Sequence, residues 1–367
     1  MKIFKNSALL LIGLLFLSCT EDKAILPKDN YINTKVPVNT DYTVGAIYKR
    51  FVRKTNLIET PFIGTYNGNS GDAIAYEDHV KQAKTAGVDF FIFPFTASVG
   101  LNAPSVDKSY IDNLQTASNA RDMKFALSYN FVNMGLSINR KIDAVSGKAY
   151  KDIFLSDFKF LMVPYFIRDN YMKIDGKAVV YLSASFNLFA DNNPAFYKEL
   201  RDEIRALGVE LYLIGVQPEW SPPLRFFGDQ VTGKDNRFKG CVDALTFTNY
   251  ANIEFVFYDR LLFFHKYVDL AWSYHKETLA KHQIEFVPTI SPSYNPKINN
   301  VSSTNYIIAK NEDWFKANCN IARRASGSSK LVLIDSFNNW NFDTQIESAT
   351  SYGDEYLKIL RAEFKLN

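Results

Sequence analysis

The chain has 367 residues, 42 basic and 39 acidic side chains for a net charge of +3, and only three cysteines. Its charge is spread along the sequence with no basic run interleaved with aromatics, which excludes a nucleic-acid groove, and three cysteines exclude a disulfide scaffold and a paired-cysteine zinc site. Phe, Trp and Tyr make up 15% of the residues, enough for a large aromatic core or for rings that stack on sugar faces, and composition does not separate the two.

The first element is a targeting segment. Lys2 and Lys5 precede an apolar run from Ala8 to Leu17, and Phe16-Leu17-Ser18-Cys19 closes it with a small residue before a cysteine. The run is too short for the roughly 20 residues of a bilayer-crossing helix, so residues 1–18 read as a signal peptide. They resemble a bacterial lipoprotein signal, which implies that Cys19 is lipidated and that the protein is anchored at the outer membrane, facing the periplasm or the cell surface. An ordinary secretory peptide with a chance cysteine is the alternative. Residues 19–39 carry Pro27 and Pro37 among Asp and Asn without periodicity, the composition of a flexible tether. The remaining cysteines, Cys241 and Cys319, read as buried thiols. His79, His265, His275 and His282 have no metal-ligand spacing, and nothing implies a metal, nucleotide or redox cofactor.

Residues 40–367 alternate between strand-like and helix-like segments and read as one domain. Val44 to Tyr48 is a short apolar strand; Ala73 to Ala86 has helical spacing and stops at Gly87; Val88 to Phe93 is continuously apolar, as a parallel strand covered on both faces should be. A helix from Tyr110 to Ala120, a strand from Lys124 to Tyr129, a helix around Leu155 to Tyr165 and a strand from Ala178 to Leu182 follow. The second half repeats the pattern: helix Ala195 to Leu207, strand Glu210 to Val216, strand Ala244 to Thr248, helix Tyr258 to Ala280, strand Glu285 to Ile290, helix Trp314 to Ala325 and strand Lys330 to Phe337. Such an alternation, with no GxGxxG or Walker turn, predicts a (β/α)8 TIM barrel rather than a doubly wound nucleotide-binding sheet. Barrel chemistry sits at the C-terminal strand ends. There the sequence places Tyr48, Phe95, Asn130, Ser183, Gln217, Glu219, Trp220, Tyr250, Tyr294 and Trp340, an aromatic, hydroxyl and amide set suited to sugars.

Four segments carry a resemblance. Ser336-Phe337-Asn338-Asn339-Trp340-Asn341-Phe342-Asp343-Thr344-Gln345-Ile346-Glu347 resembles the last-strand signature S-F-N-E-W-H-E-G-T-Q-I-E of glycoside hydrolase family 99, the endo-α-mannosidases. Pro61 to Tyr66 with His79 to Phe91 looks like the family's first barrel unit, Tyr171 to Val179 like its entry to the fourth strand, and Val287 to Asn295 like its P-x-x-x-P-G-Y loop. The resemblance spans nearly the whole domain in order. It implies a cofactor-free barrel with an oligo- or polysaccharide partner, whose sugar site would include Tyr48, Tyr66, Phe95, Asn130, Tyr250, Tyr294, Trp340 and Gln345.

The activity does not carry over, because the two glutamates of the signature are replaced by Asn339 and Phe342, and a third at the end of strand three by Asn130. Glycoside cleavage needs one group to protonate the leaving oxygen and a second to assist at the anomeric carbon; neither an amide nor a phenyl ring does so. Asp343, one residue past the second lost acid and in place of a family glycine, is the candidate substitute; Asp335 reads as part of the strand, and Asp89 as structural. The expected function is a mannan-like glycan-binding lipoprotein with lost or reduced hydrolase activity. The alternatives are an endo-acting glycosidase using substitute carboxylates and a scaffold among glycan-uptake proteins.

Overall fold

The computed structural model describes residues 31–50, 57–64, 66, 71–99, 103–137, 139–144, 150–217, 237–247 and 264–366. β1 (Thr43–Ile47) leads to α1 (Ala73–Ala86), whose ends follow from two side chains. Asp72 accepts from the N–H groups of Ile74 and Ala75, both at 3.1 Å, and Gly87 takes the left-handed φ of 74° that closes the helix. β2 (Phe90–Thr96), α2 (Ala103–Leu114) and β3 (Lys124–Asn130) follow. α2 begins and ends earlier than the expected Tyr110 to Ala120, because the polar stretch beyond Leu114 turns back, with Asn119 donating to the Glu77 carbonyl at 2.8 Å.

α3 (Tyr150–Ser156) continues through a π-helical stretch, Asp157–Met162, into α4 (Val163–Phe166). Pro164 lies at the start of α4 and lacks the N–H that an α-helical register would use. A short antiparallel strand β4 (Lys173–Ile174) precedes β5 (Lys177–Ser183), α5 (Asn193–Arg205), β6 (Leu211–Gln217), β7 (Ala244–Phe247) and α6 (Phe264–Ala280). The expected strand Glu285 to Ile290 is two pieces, β8 (Glu285–Phe286) and β9 (Thr289–Ile290), divided at Pro288. Then come α7 (Glu312–Ala325), β10 (Leu331–Ile334) and a C-terminal helix without a sequence-level expectation, α8 (Glu355–Phe364).

The strands form a parallel ring, in which β1 pairs with β2 and β10, and β3, β5, β6 and β7 continue in sequence. β8 pairs with β7 and β9 with β10, so the divided strand closes the circle. Val287 N–H donates to Leu245 O at 2.9 Å and Leu333 N–H to Pro288 O at 2.9 Å, which holds both neighbours across the break. With β8 and β9 as one stave, the fold is a (β/α)8 barrel. Its lower end is fixed by Asp89, which accepts from Val44 N–H at 2.7 Å and from Lys365 at 2.8 Å. Cys241 and Cys319 are buried free thiols.

The signal segment and Cys19 lie outside the described residues. The distal part of the tether is not loose: Asn33 donates to Ala317 O at 3.0 Å, Val36 N–H to Asn320 Oδ1 at 3.0 Å, and Arg323 to Val36 O at 2.9 Å. An extended segment satisfies its backbone groups on the side chains of α7, a possibility that composition alone does not reveal.

Candidate functional site in the barrel mouth

Register decides which side chains face the mouth. Pro94 pairs with Ser128 and Ser128 with Tyr181; Thr96 pairs with Asn130 and Asn130 with Ser183. Paired residues share a side of the sheet, and in β2 and β3 the half-buried positions are Pro94, Thr96, Ser128 and Asn130, alternating with fully buried ones. These residues, with Ser183, line the mouth. Phe95 falls on the opposite, helix-facing side: it is fully buried, its ring 6.3 Å from that of Tyr165. The expected sugar-stacking role of Phe95 is therefore corrected, and the cause is the two-residue period of a strand. Asn130 does reach the mouth, its Oδ1 accepting from Val132 N–H at 3.0 Å. Tyr250, Glu219 and Trp220 lie outside the described residues.

Tyr48, Tyr66 and Trp340 form a collar behind the mouth, built around Glu347. Its carboxylate, itself fully buried, accepts from Tyr66 Oη at 2.7 Å, Trp340 Nε1 at 2.8 Å and His79 Nε2 at 3.0 Å. His79 Nδ1 lies 2.7 Å from Tyr48 Oη, so the imidazole bridges the Tyr48 phenol and the Glu347 carboxylate. Burial pushes the Tyr48 and Tyr66 hydroxyls well above the usual phenol range, and the Glu347 charge adds to it. Only 2% of Tyr48, 8% of Tyr66 and 2% of Trp340 is exposed. Gln345 is fully buried as well, donating to Asp343 Oδ1 at 3.2 Å. The four residues expected on the sugar surface are thus its supporting wall: Tyr48, Tyr66 and Trp340 bond to partners inside the protein, and Gln345 is fully buried with its amide N–H on Asp343.

The last-strand loop presents a different pair to solvent. Asn339 and Phe342 are half-buried, and the Phe342 ring lies parallel to that of Tyr294, with centroids 5.9 Å apart and planes 4° apart. The two rings border a cleft of about 530 Å³ with Asn299, Asn300, Ser302, Ser303, Thr304 and Asn305. Asp343 takes a left-handed φ of 55°, the region that favours the glycine of the family signature. Its Oδ1 lies 2.7 Å from Lys310 Nζ, and the same ammonium donates to Ser293 Oγ at 2.9 Å and to Asp343 O at 2.9 Å. Burial pushes the Lys310 pKa down, against the opposing pull of Asp343. Asp343 is committed to this clamp between two loops, which corrects its reading as a substitute acid.

Asp335 is the carboxylate that sequence reasoning passed over. β10 ends at Ile334, earlier than expected, so Asp335 stands at the strand's C-terminal end, its N–H donating to Ile290 O at 2.9 Å. It lies two residues beyond Leu333, which pairs with Gly45 and Thr289, and so shares their inward side. Burial holds its carboxyl above the usual carboxylate range, with Lys49 opposing. The Tyr181 phenol is raised by its own burial and further by the charge of Asp335. Among the described residues no hydrogen bond reaches the Asp335 side chain. An acid directly after the apolar run Leu331 to Ile334 was the available signal.

The family described as Glycosyltransferase WbsX matches residues 75–360. A solved structure titled "Glycoside hydrolase-like protein" is 36% identical, with a TM-score of 0.81 over 92% of this chain and 98% of that one. The GH99 endo-alpha-mannosidase from Bacteroides thetaiotaomicron shares the fold at 14% identity, with a TM-score of 0.60 over 89% of this chain and 96% of that one; its complex with bis-tris-propane gives 15% and 0.62, over 89% and 97%. No curated protein matches the sequence. The chain belongs to the Glycosyltransferase WbsX family and carries it on a barrel like that of glycoside hydrolase family 99.

Proposed function

We propose that the protein is an exported, lipid-anchored barrel that binds a complex, mannan-like glycan in its mouth, with hydrolysis lost or reduced. The observation that carries this reading is the replacement at the mouth: Asn339 and Phe342 stand where the signature has glutamates, and Phe342 with Tyr294 offers an aromatic edge to an amide- and hydroxyl-lined cleft. Amides and hydroxyls donate and accept as sugar hydroxyls do, whereas the two-carboxylate route has lost its pair. Anchoring through Cys19 at the outer membrane rests on the sequence of residues 1–19. Glycan arrays and calorimetry with α-mannans and other polysaccharides test the reading. Binding is expected, weakened about 3- to 10-fold by Phe342→Ala through loss of the aromatic contact; absence of binding to every glycan would sink it.

Asp335 favours a second reading, an endo-acting glycosidase in which this carboxyl is the proton donor. Release of products from a polysaccharide panel that stops in Asp335→Asn would support it. Release that persists would remove Asp335 from that role.

A further inference from the structure

We propose that Asp335 is the sugar-reading residue of the mouth: its carboxyl group and the Tyr181 hydroxyl take adjacent hydroxyls of a neutral pyranose seated on the barrel floor. The inference rests on the glycan-binding reading and names the chemistry of its deepest subsite. β10 and β5 stand opposite one another in the ring, with three staves between them either way round. Tyr181 faces inward by its register with Ser128, and Asp335 by its place two residues beyond Leu333, so the two side chains point toward the axis from opposite staves.

The acids around them have internal partners. Glu347 takes three donors, Asp343 is paired with Lys310, Asp107 accepts from Thr96 N–H at 2.7 Å and faces Arg50 at 3.3 Å, and Asp157 accepts from Ser98 N–H at 2.9 Å and Tyr129 Oη at 2.6 Å. Asp335 differs in facing the mouth with its acceptor sites unfilled by the described residues. Asp335 is half-buried, so its open acceptor sites are available to sugar hydroxyls. The facing groups favour a neutral ring. Lys49 is exposed at the rim with no ion pair to Asp335 among the described residues, and the inward residues at mouth level on β2, β3 and β5 are apolar, hydroxyl or amide. An anionic sugar would meet the carboxyl of Asp335 with no guanidinium among those residues to receive it.

Calorimetry on the full-length protein with neutral α-mannan oligosaccharides and with oligogalacturonides tests this, with melting curves as a folding control. Neutral oligosaccharides are expected to bind more tightly. Asp335→Asn should weaken them at least about tenfold, the size of a charged hydrogen bond, and should narrow the preference over the acidic ligand. Tyr181→Phe, which keeps the ring, should weaken them about threefold and carries the test where Asp335→Asn melts early. If both variants bind like the parent while Phe342→Ala loses affinity, the glycan reading stands and this inference falls. A parent that prefers oligogalacturonides also overturns it, and a parent that binds no glycan overturns both.

Discussion

Replacing Glu347 by alanine should destabilise the domain far more than its place outside the signature's acid pair implies. The carboxylate is fully buried and satisfies three donors, Tyr66 Oη, Trp340 Nε1 and His79 Nε2, at 2.7, 2.8 and 3.0 Å. A hydrogen bond to a charged group contributes about 1.5–3 kcal/mol, and a buried donor left unpaired costs about 1–3 kcal/mol. The three share one carboxylate and do not add fully. A loss of about 4 kcal/mol is expected, a large part of the roughly 5–15 kcal/mol of a typical domain. Glu347→Gln keeps the shape and one acceptor, while its new NH₂ meets a donor, so about half that loss should remain. Urea denaturation followed by far-ultraviolet circular dichroism measures both at unchanged m-value. A loss below about 1 kcal/mol for the alanine variant would refute the collar as the anchor of the last-strand loop.

Two further outcomes follow from buried charge. Lys310→Met should cost about 3–5 kcal/mol because Asp343 keeps its burial and loses its partner, and adding Asp343→Asn should recover much of it; additive losses in thermal melts would rule out the clamp. His275, packed against Phe247 at 4.6 Å, has its pKa pushed down to about 3 by burial. The unfolded imidazole, with its ordinary value near 6.5, takes up a proton that the folded one refuses, so stability falls as pH drops from about 6.5 toward about 3, by up to about 1.4 kcal/mol per pH unit. His275→Phe should flatten that part of the pH–stability curve, and an unchanged slope would show that the imidazole is not desolvated.

Much of the architecture was legible because parallel barrels write themselves as alternating apolar runs and amphipathic segments. The span of α1 was read to the residue, since Gly87 can end a helix in a conformation other residues avoid. Helix α8 carried no expectation, although it packs on α1 and α7 and its Phe364 carbonyl receives Tyr42 N–H at 2.9 Å. The break at Pro288 was hidden within one apolar run, and only the pairing of β8 with β7 and of β9 with β10 exposes it.

The candidate site was legible by place rather than by side chain. The sequence by itself determined that the mouth lies at the strand ends, that Asn339 and Phe342 occupy the acid positions, and that the frame from Ser336 to Glu347 persists. Tertiary structure alone decided that Phe95, Tyr48, Tyr66, Trp340 and Gln345 turn away from the mouth while Asp335, Asn130 and the Phe342–Tyr294 pair belong to it. The physical reason lies in the strands: covered on both faces, they are apolar on both. Their sequence therefore shows that neighbours alternate without showing which neighbour looks inward, and that choice is made by register with the rest of the ring.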